Sequence, residues 1–276
     1  MTFSSLICFG FGYVAQALSK SDPVSKWEIF GTKRSPETNS NQQPENVTLL
    51  TWPSPSFSLP DVKAVLVSVP PDDEGCPVFR QFKDYFDPET YFAYLSSTGV
   101  YGDLQGGWAF EETPVNPLST EAKRRVIAET QWQGLGAHIF RLPGIYGPGR
   151  SAFDRLKQGR ARRIVKEGQV FSRAHVDDIA DVLARSIARP NPGQIYNIAD
   201  DHPCPAQDVI AYAAQLLGAE PPPEVRFEDA NLPEKAQRFY AECKRLSNAR
   251  TKAELGWLPK YPDYRSGLNA IFDASN

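Results

Sequence analysis

Six residues near the N-terminus have the types and the spacing that hold the phosphates of a nucleotide. They are Gly10-Phe11-Gly12-Tyr13-Val14-Ala15, which directly follow the apolar run at 6–9 and precede apolar residues at helical spacing. Gly10 permits a tight turn, Gly12 leaves no Cβ in the path of a pyrophosphate, and Ala15 lets the helix lie close to the strand. The unpaired N–H groups of the helix N-terminus favour an anion there. Residues 10–14 are therefore predicted to bind a dinucleotide; the alternative is a glycine turn that binds nothing.

The end of the second apolar run indicates which dinucleotide is bound. About twenty residues beyond the glycines, a chain that binds NAD places an acid for the ribose 2′-hydroxyl. This chain instead has Thr32-Lys33-Arg34-Ser35 at that place. A guanidinium flanked by hydroxyls suits a 2′-phosphate, so Thr32, Lys33 and Arg34 predict NADP in preference to NAD. The alternative is that the two cations belong to a solvated loop.

The composition is that of a soluble protein. The 276 residues are 41% hydrophobic and 23% charged, with a net charge of -3, which argues against nucleic-acid binding. Four cysteines and three histidines are scattered singly, so we expect reduced thiols and no metal site. The sequence shows no signal peptide and no apolar stretch of membrane-spanning length, and we therefore expect a cytoplasmic protein without membrane contact.

Positive charge is densest between Arg155 and Lys166, where six of the twelve residues are Arg or Lys. Such a run is typical of a solvated helix and loop. It could also help to hold an anionic substrate or partner, and the spacing alone does not decide between the two.

The order of the elements predicts a Rossmann-type α/β fold. Short apolar runs typical of buried parallel strands occur at 6–9, 27–31, 47–50, 64–69, 91–95 and 137–142. Their alternation with helical segments is the pattern of a doubly wound parallel sheet. Ser68 and Val69 then fall at the carboxyl end of the fourth strand, where ligands bind in such sheets.

The pattern of predicted helices and strands changes after Arg150. A hairpin is predicted around Gly168, joining residues 164–165 to 169–171, and helices are predicted at 176–188 and 206–217 with a strand at 194–198 between them. We assign residues 1–150, completed by 173–199, to the dinucleotide-binding domain. Residues 151–172 and 200–276 are assigned to a smaller C-terminal α/β lobe that holds the substrate.

Several ordered motifs together resemble the extended short-chain dehydrogenase/reductase superfamily, in particular its nucleotide-sugar epimerases and dehydratases. Besides the glycine motif they lie at 96–103, 141–149, 175–180, 195–198 and 254–259. The resemblance implies an NAD(P)-binding Rossmann fold and a small-molecule substrate. Homodimers are common in that superfamily, although no residue pattern here shows one.

The same superfamily carries a Tyr-x-x-x-Lys pair that supplies the acid/base phenol and the lysine that lowers its pKa. This chain has no tyrosine between positions 101 and 146. An alignment on 128–129 places Glu121 and Arg125 at the two positions, whereas an alignment on Pro117 places Leu118 at the first. The chain therefore resembles an atypical member that keeps the cofactor site and lacks the usual pair.

The resemblance also suggests roles for other residues near the cofactor ring. Ser97 matches the Ser or Thr that binds the reacting oxygen of the substrate; the alternative is a strand-end serine bonded to backbone. Tyr146 is a candidate to replace the phenol, although ordinary members carry a tyrosine there too. Glu121 could serve as a base only with a raised pKa. The remaining cofactor contacts are assigned to Ser96, Pro143, Gly144 and Ile145.

Arg173 precedes His175 in a motif that, by resemblance, meets the anionic part of the substrate. The alternative is an ion pair with Asp177 or Asp178. Two functions follow from these residues. One is an NADP-binding oxidoreductase or epimerase-like enzyme with a nonstandard acid/base, acting on a small sugar-like or anionic substrate. The other is a catalytically silent NADP(H) sensor that changes its affinity for a partner.

Overall fold

The computed structural model of the chain describes residues 4–35 and 44–275. Seven strands form one parallel sheet in the order β3-β2-β1-β4-β5-β7-β11, and six shorter strands pair outside it. In chain order the strands are β1 Ser5–Phe9, β2 Glu28–Lys33, β3 Val47–Thr51, β4 Ala64–Val67, β5 Tyr91–Ser97, β6 Trp108–Ala109, β7 His138–Leu142, β8 Gly144–Tyr146, β9 Arg163–Val165, β10 Arg173–His175, β11 Ile195–Asn197, β12 Glu224–Arg226 and β13 Arg245–Leu246.

Helices cover both faces of this sheet, and further helices follow in the C-terminal part of the chain. They are α1 Tyr13–Leu18, α2 Pro77–Phe82, α3 Thr120–Gln133, α4 Ala152–Lys157, α5 Val176–Ala188, α6 Ala206–Leu216, α7 Glu234–Tyr240, α8 Ala249–Leu255 and α9 Tyr264–Asp273. Among the residues described, no helix has both the length and the apolar character needed to cross a membrane.

Alternate side chains of the central strand point to two separate cores. Leu6 and Cys8 of β1 lie with α1 and α5 in one core, whereas Ile7 and Phe9 lie with Trp132 of α3 in the other. A strand buried on both faces needs a continuous apolar run, which is what residues 6–9 supply. The doubly wound fold predicted from the sequence is confirmed, with the reversal of strand order between β1 and β4.

The predicted hairpin around Gly168 is wrong. β9 pairs in parallel with β12, whose Val225 lies opposite Ile164, and Phe171 forms an isolated bridge with Cys204. Both partners are distant along the chain, so local spacing around a glycine could not reveal them. The predicted helix at 176–188 agrees with the bounds of α5, and the predicted strand at 194–198 becomes β11 in the main sheet.

A buried ion pair fastens α3 to the sheet. The guanidinium of Arg141 on β7 donates to both carboxylate oxygens of Glu129, at 2.7 and 3.1 Å, and both side chains are 4% exposed. The same guanidinium lies 4.7 Å from the ring centroid of Tyr101, whose hydroxyl donates to Asn197 of β11 at 2.8 Å. The network fixes α3 relative to the strands beside it.

A second buried acid lies in the C-terminal part of the chain. Asp200 is 3% exposed; its Oδ1 accepts the N–H of His202 at 3.3 Å, and its Oδ2 has no partner among the described residues. Burial raises the pKa of this carboxyl to about 8, although the positive charge of Arg173 opposes the rise. The folded protein therefore favours the neutral carboxyl near neutral pH.

We expect the substitution Glu129→Ala to cost about 3–5 kcal/mol in the free energy of unfolding, because it leaves the Arg141 guanidinium buried without its partner. Urea unfolding at neutral pH measures the loss. Glu121→Ala on the same helix is the control: its carboxylate is exposed and lies 3.5 Å from Arg238, so its loss should stay below about 1 kcal/mol. Equal losses in the two variants would contradict the importance of the buried pair.

Asp200 should make the stability depend on pH. Its pKa is higher in the folded chain than the ordinary 3.8, so the folded state binds more protons and stability falls as the pH rises from about 4 to about 8. We expect Asp200→Asn to flatten this fall, since an amide does not ionise. Urea unfolding of both proteins at pH 5 and pH 8 tests the prediction, and an unchanged difference between the two pH values would refute it.

Candidate functional site

The residues predicted to bind the cofactor follow five neighbouring strands of the sheet. All seven strands of this sheet run parallel, so their carboxyl ends lie on one edge. The structure brings the predicted cofactor residues to that edge in five groups, which are 10–14 after β1, 32–34 at the end of β2, 68–69 after β4, Ser96 at the end of β5 and 143–145 after β7; Ser97, the predicted catalytic serine, follows Ser96.

Hydrogen bonds from two neighbouring strands shape the glycine turn. The N–H of Gly10 donates to the hydroxyl of Thr32 at 2.9 Å, and the hydroxyl of Ser68 donates to the carbonyl of Gly10 at 2.7 Å. Gly10 has a φ of +89°, and a Cβ on it would lie 2.7 Å from Ser68 Oγ. Only glycine satisfies both the backbone angle and this contact.

The next glycine of the turn faces open space. A Cβ on Gly12 would meet nothing closer than the Gly10 carbonyl at 4.0 Å, and Gly12 is exposed at the N-terminus of α1. Phe11 is buried, and its backbone N–H donates to the carbonyl of Thr32 at 2.9 Å. Tyr13 is half-buried and donates its hydroxyl to the Pro148 carbonyl at 2.9 Å. Gly12 is therefore the position of the turn at which a side chain would enter unoccupied space.

The three residues at the end of β2 differ in exposure. Thr32 is 2% exposed, and its hydroxyl accepts the Gly10 N–H, so it stabilises the backbone of the glycine turn. Lys33 is half-buried and Arg34 is exposed. Neither cation forms an ion pair with another residue of 4–35 or 44–275.

Two serines end β5. The Ser96 hydroxyl is buried and has no hydrogen-bond partner within the described part of the chain. Ser97 is half-buried, and its Oγ accepts the Gly99 N–H at 3.2 Å. Because Oγ is the acceptor in that bond, the hydroxyl proton of Ser97 is free to donate to a substrate oxygen.

The first turn of α3 lies beside these serines. Ala122 packs near Gly99, where an added Cβ would lie 3.5 Å away. Arg125 donates to the Leu95 carbonyl at 2.6 Å and to the Tyr94 hydroxyl at 3.3 Å, so it is bound to β5. Glu121, one turn earlier, is exposed and lies 3.5 Å from Arg238 of α7.

Tyr146 occupies a different environment from the one that a replacement phenol needs. It is 9% exposed among the side chains of the C-terminal core, and its hydroxyl donates to the Asp263 carbonyl at 3.4 Å and contacts Gly267 of α9. Burial raises the pKa of this phenol, and the charge of Asp200 adds to the rise. This geometry gives no support to a role for Tyr146 as the proton donor.

Arg173 pairs with the segment that follows β7. On β10 it is the register partner of Gly144 on β8. One guanidinium nitrogen donates to the carbonyls of Phe171 and Cys204, at 2.9 and 3.1 Å. The alternative ion pairs with Asp177 and Asp178 do not form, and Asp178 instead accepts the backbone N–H of Lys260 at 2.7 Å. The positive charge of Arg173 faces no carboxylate within ion-pair distance among the described residues.

Sequence reasoning missed several contacts of this site. The supporting roles of Thr32 and Ser68 depend on hydrogen bonds between residues far apart along the chain, for which no local pattern exists. The approach of Arg238 to Glu121 was missed for the same reason. The sequence predicts the Thr32 hydroxyl as a ligand of the 2′-phosphate, whereas in the structure it accepts the Gly10 N–H.

Comparisons with known proteins show one relative of high identity. A protein of unknown function from Silicibacter pomeroyi DSS is 46% identical; the match covers 98% of this chain and 99% of that chain, with a TM-score of 0.92. A 3-diazoavenalumate denitrifying reductase from Streptomyces sp. is 28% identical over 173 residues, or 59% of this chain. The match spans 53% of that reductase, about half its length. No family model matches the chain.

More distant solved structures share the fold. UDP-glucuronic acid 4-epimerase from Bacillus cereus, in complex with NAD, has a TM-score of 0.75 at 15% identity, over 98% of this chain and 96% of the epimerase. The human epimerase family protein SDR39U1, with NADPH, has a TM-score of 0.72 at 14% identity, over 98% and 99%. The chain thus belongs to the family of the Silicibacter pomeroyi protein and has the fold of the NAD-dependent epimerases and dehydratases of the extended short-chain dehydrogenase/reductase superfamily.

Proposed function

We propose that the chain is an NADP-binding oxidoreductase or epimerase-like enzyme that works without the usual tyrosine–lysine pair. The observation that carries this proposal is the open turn at Gly12 together with Lys33 and Arg34 at the end of β2, which form no ion pair with any residue of 4–35 or 44–275. A phosphate at a helix N-terminus and a second phosphate beside a guanidinium are both favourable. Fold neighbours with NAD and with NADPH, and a partial relative named as a reductase, support the same reading.

Each group of residues at the sheet edge would bind a different part of the cofactor. Residues 10–14 would hold the pyrophosphate, and Lys33 with Arg34 the 2′-phosphate, while Thr32 and Ser68 keep the turn in shape. Val69 would line the adenosine side. Ser96 and the segment 143–145 would surround the nicotinamide, where the free hydroxyl of Ser96 has no other partner in the described residues. A bound nicotinamide supplies or accepts a hydride.

Ser97 is the residue best placed to act on the substrate. Its hydroxyl can donate to the reacting oxygen because the Gly99 N–H already occupies its acceptor side. Arg173, next to Gly144, would hold an anionic group of the substrate and so orient it toward the cofactor. A homodimer and a cytoplasmic location remain predictions, and a sugar-like substrate remains an alternative to an acidic one.

One observation favours the second function, a silent NADP(H) sensor. Glu121 is paired with Arg238, and Tyr146 is bonded inside the C-terminal core, so neither side chain is poised to exchange a proton. Turnover of bound NADPH with any carbonyl substrate would exclude the sensor. Partner binding that depends on the redox state of the nicotinamide, without turnover, would favour it.

We expect Gly12→Val to abolish cofactor binding, because the isopropyl group fills the open space of the turn. The φ of -101° at Gly12 suits valine, so the variant should fold. Calorimetric titration with NADPH measures the loss. Gln16→Val, exposed on the same helix, is the control and should bind NADPH as the unchanged protein does. Unchanged affinity in a folded Gly12→Val protein would remove the basis of the proposal.

Arg34→Ala should weaken NADPH by about tenfold or more and leave NADH nearly unchanged, since a charge-assisted contact to a phosphate contributes about 1.5–3 kcal/mol. Parallel titrations with the two cofactors give the ratio directly. The control is Lys20→Ala, an exposed cation two residues beyond the C-terminal end of α1. Equal losses for NADPH and NADH would mean that the 2′-phosphate is not bound by Arg34.

A further inference from the structure

The helix α7 packs weakly against the rest of the molecule. None of its described side chains is buried, and the ring of Phe239 is 65% exposed. Most helices in proteins are stabilised by an apolar face that is buried in tertiary packing. A helix without such a face separates from its neighbours at a low cost in free energy.

The segment that carries α7 is fixed at both ends. Arg162, ahead of β9, donates to the Ala230 carbonyl, and the side-chain amide of Gln169 donates to the Glu242 carbonyl at 2.8 Å. Asn231 follows the first of these contacts and has a φ of +43°, a conformation that asparagine adopts more readily than most residues. Residues 230–242 therefore form a strap that is bonded at its two ends and carries α7 between them.

An ion pair joins the strap to the first turn of α3. Arg238 lies 3.5 Å from both carboxylate oxygens of Glu121, and the two side chains are 50% and 70% exposed. The next residue, Ala122, packs near Gly99, whose N–H is bonded to Ser97. The ion pair therefore lies beside the serine that is proposed to act on the substrate. Exposed ion pairs contribute little to stability, so this contact breaks easily.

The C-terminal end of α7 leads to the other proposed substrate residue. The ring of Tyr240 meets the ring of Phe171 edge-on, with 5.4 Å between the centroids. The carbonyl of Phe171 accepts a hydrogen bond from Arg173 at 2.9 Å. The helix thus extends from the neighbourhood of Ser97 to the neighbourhood of Arg173.

A cavity of about 380 Å³ lies against α7. Its walls are residues of the helix, the next residue Ala241, Phe227 and Lys166, and the ammonium of Lys166 lies 5.2 Å from the centroid of the Phe227 ring. Close-packed side chains resist displacement because neighbouring atoms must move with them. The empty space beside α7 removes that resistance on one side of the helix.

We propose that α7 is a lid on the substrate side of the reaction site, held closed by the ion pair between Glu121 and Arg238. Substrate enters after this pair breaks and the strap moves about its bonded ends, and closure then excludes water from the reacting groups. The inference rests on the proposed function, because Ser97 and Arg173 are substrate residues only in that proposal.

The test is the reactivity of a thiol placed under the lid. In Ser97→Cys protein, iodoacetamide labelling of the tryptic peptide 84–123, which holds no native cysteine, is followed by mass spectrometry. We expect the added change Glu121→Gln to raise the labelling rate about two- to fivefold, since losing an exposed ion pair favours the open lid by that factor. Lys26→Gln, which breaks the exposed pair with Asp22 at 2.8 Å, is the control and should leave the rate unchanged. Equal rates with and without Glu121→Gln, or an equal rise in the control, would overturn the proposal.

Amide hydrogen exchange gives a second measurement that needs no introduced thiol and decides the matter if Ser97→Cys does not fold. Residues 231–241 should exchange faster in Glu121→Gln than in the unchanged protein, by about the same factor, and identical exchange contradicts the lid. Titration of the unchanged protein with NADPH separates the two proposals. NADPH binding with equal labelling rates rejects only the lid, whereas faster labelling without NADPH binding rejects only the cofactor site.

Discussion

The contact between Gly10, Thr32 and Ser68 is the constraint on which the site depends. These residues follow three adjacent strands, β2, β1 and β4, and their hydrogen bonds join the strand ends at the point where the sheet order reverses. The backbone angle of Gly10 and its distance to Ser68 exclude any side chain there. The turn is consequently held by the sheet itself, and α1 begins in a fixed direction with its N–H groups toward open space.

A different set of forces fixes the position of α3, which carries the acid/base pair in the resembling superfamily. Glu129 is bonded to Arg141 in the interior, and Arg125 is bonded to the Leu95 carbonyl at the strand end. The guanidinium of Arg125 is hydrogen-bonded to β5. It therefore differs from a lysine that would reach the ribose of a cofactor. Near the site, α3 therefore contributes a fixed helix position and the exposed carboxylate of Glu121.

The sequence predicted those features that local periodicity determines. The strand at 6–9, the glycine turn and the helix at 176–188 were found because apolar spacing and glycine geometry act over short distances. The predicted hairpin around Gly168 is wrong because β9 pairs with β12, and no pattern in the residues near Gly168 indicates that pairing. The burial of the Tyr146 hydroxyl against α9 and the approach of Arg238 to Glu121 were likewise invisible, since each depends on how distant segments pack.

The pairings of the short strands bear on how the chain is synthesised and on how it could be divided. β9 cannot pair before β12 has been made, and Phe171 cannot pair before Cys204 has been made. β6 pairs with β13 near the end of the chain, whereas the main sheet is complete once β11 has been made. During translation the seven-stranded sheet can therefore form before the partner strands of β6 and β9 have been made. A genetic exchange of residues 151–172 and 200–276 between relatives would need three crossover points, because the intervening α5 and β11 belong to the main sheet and its core.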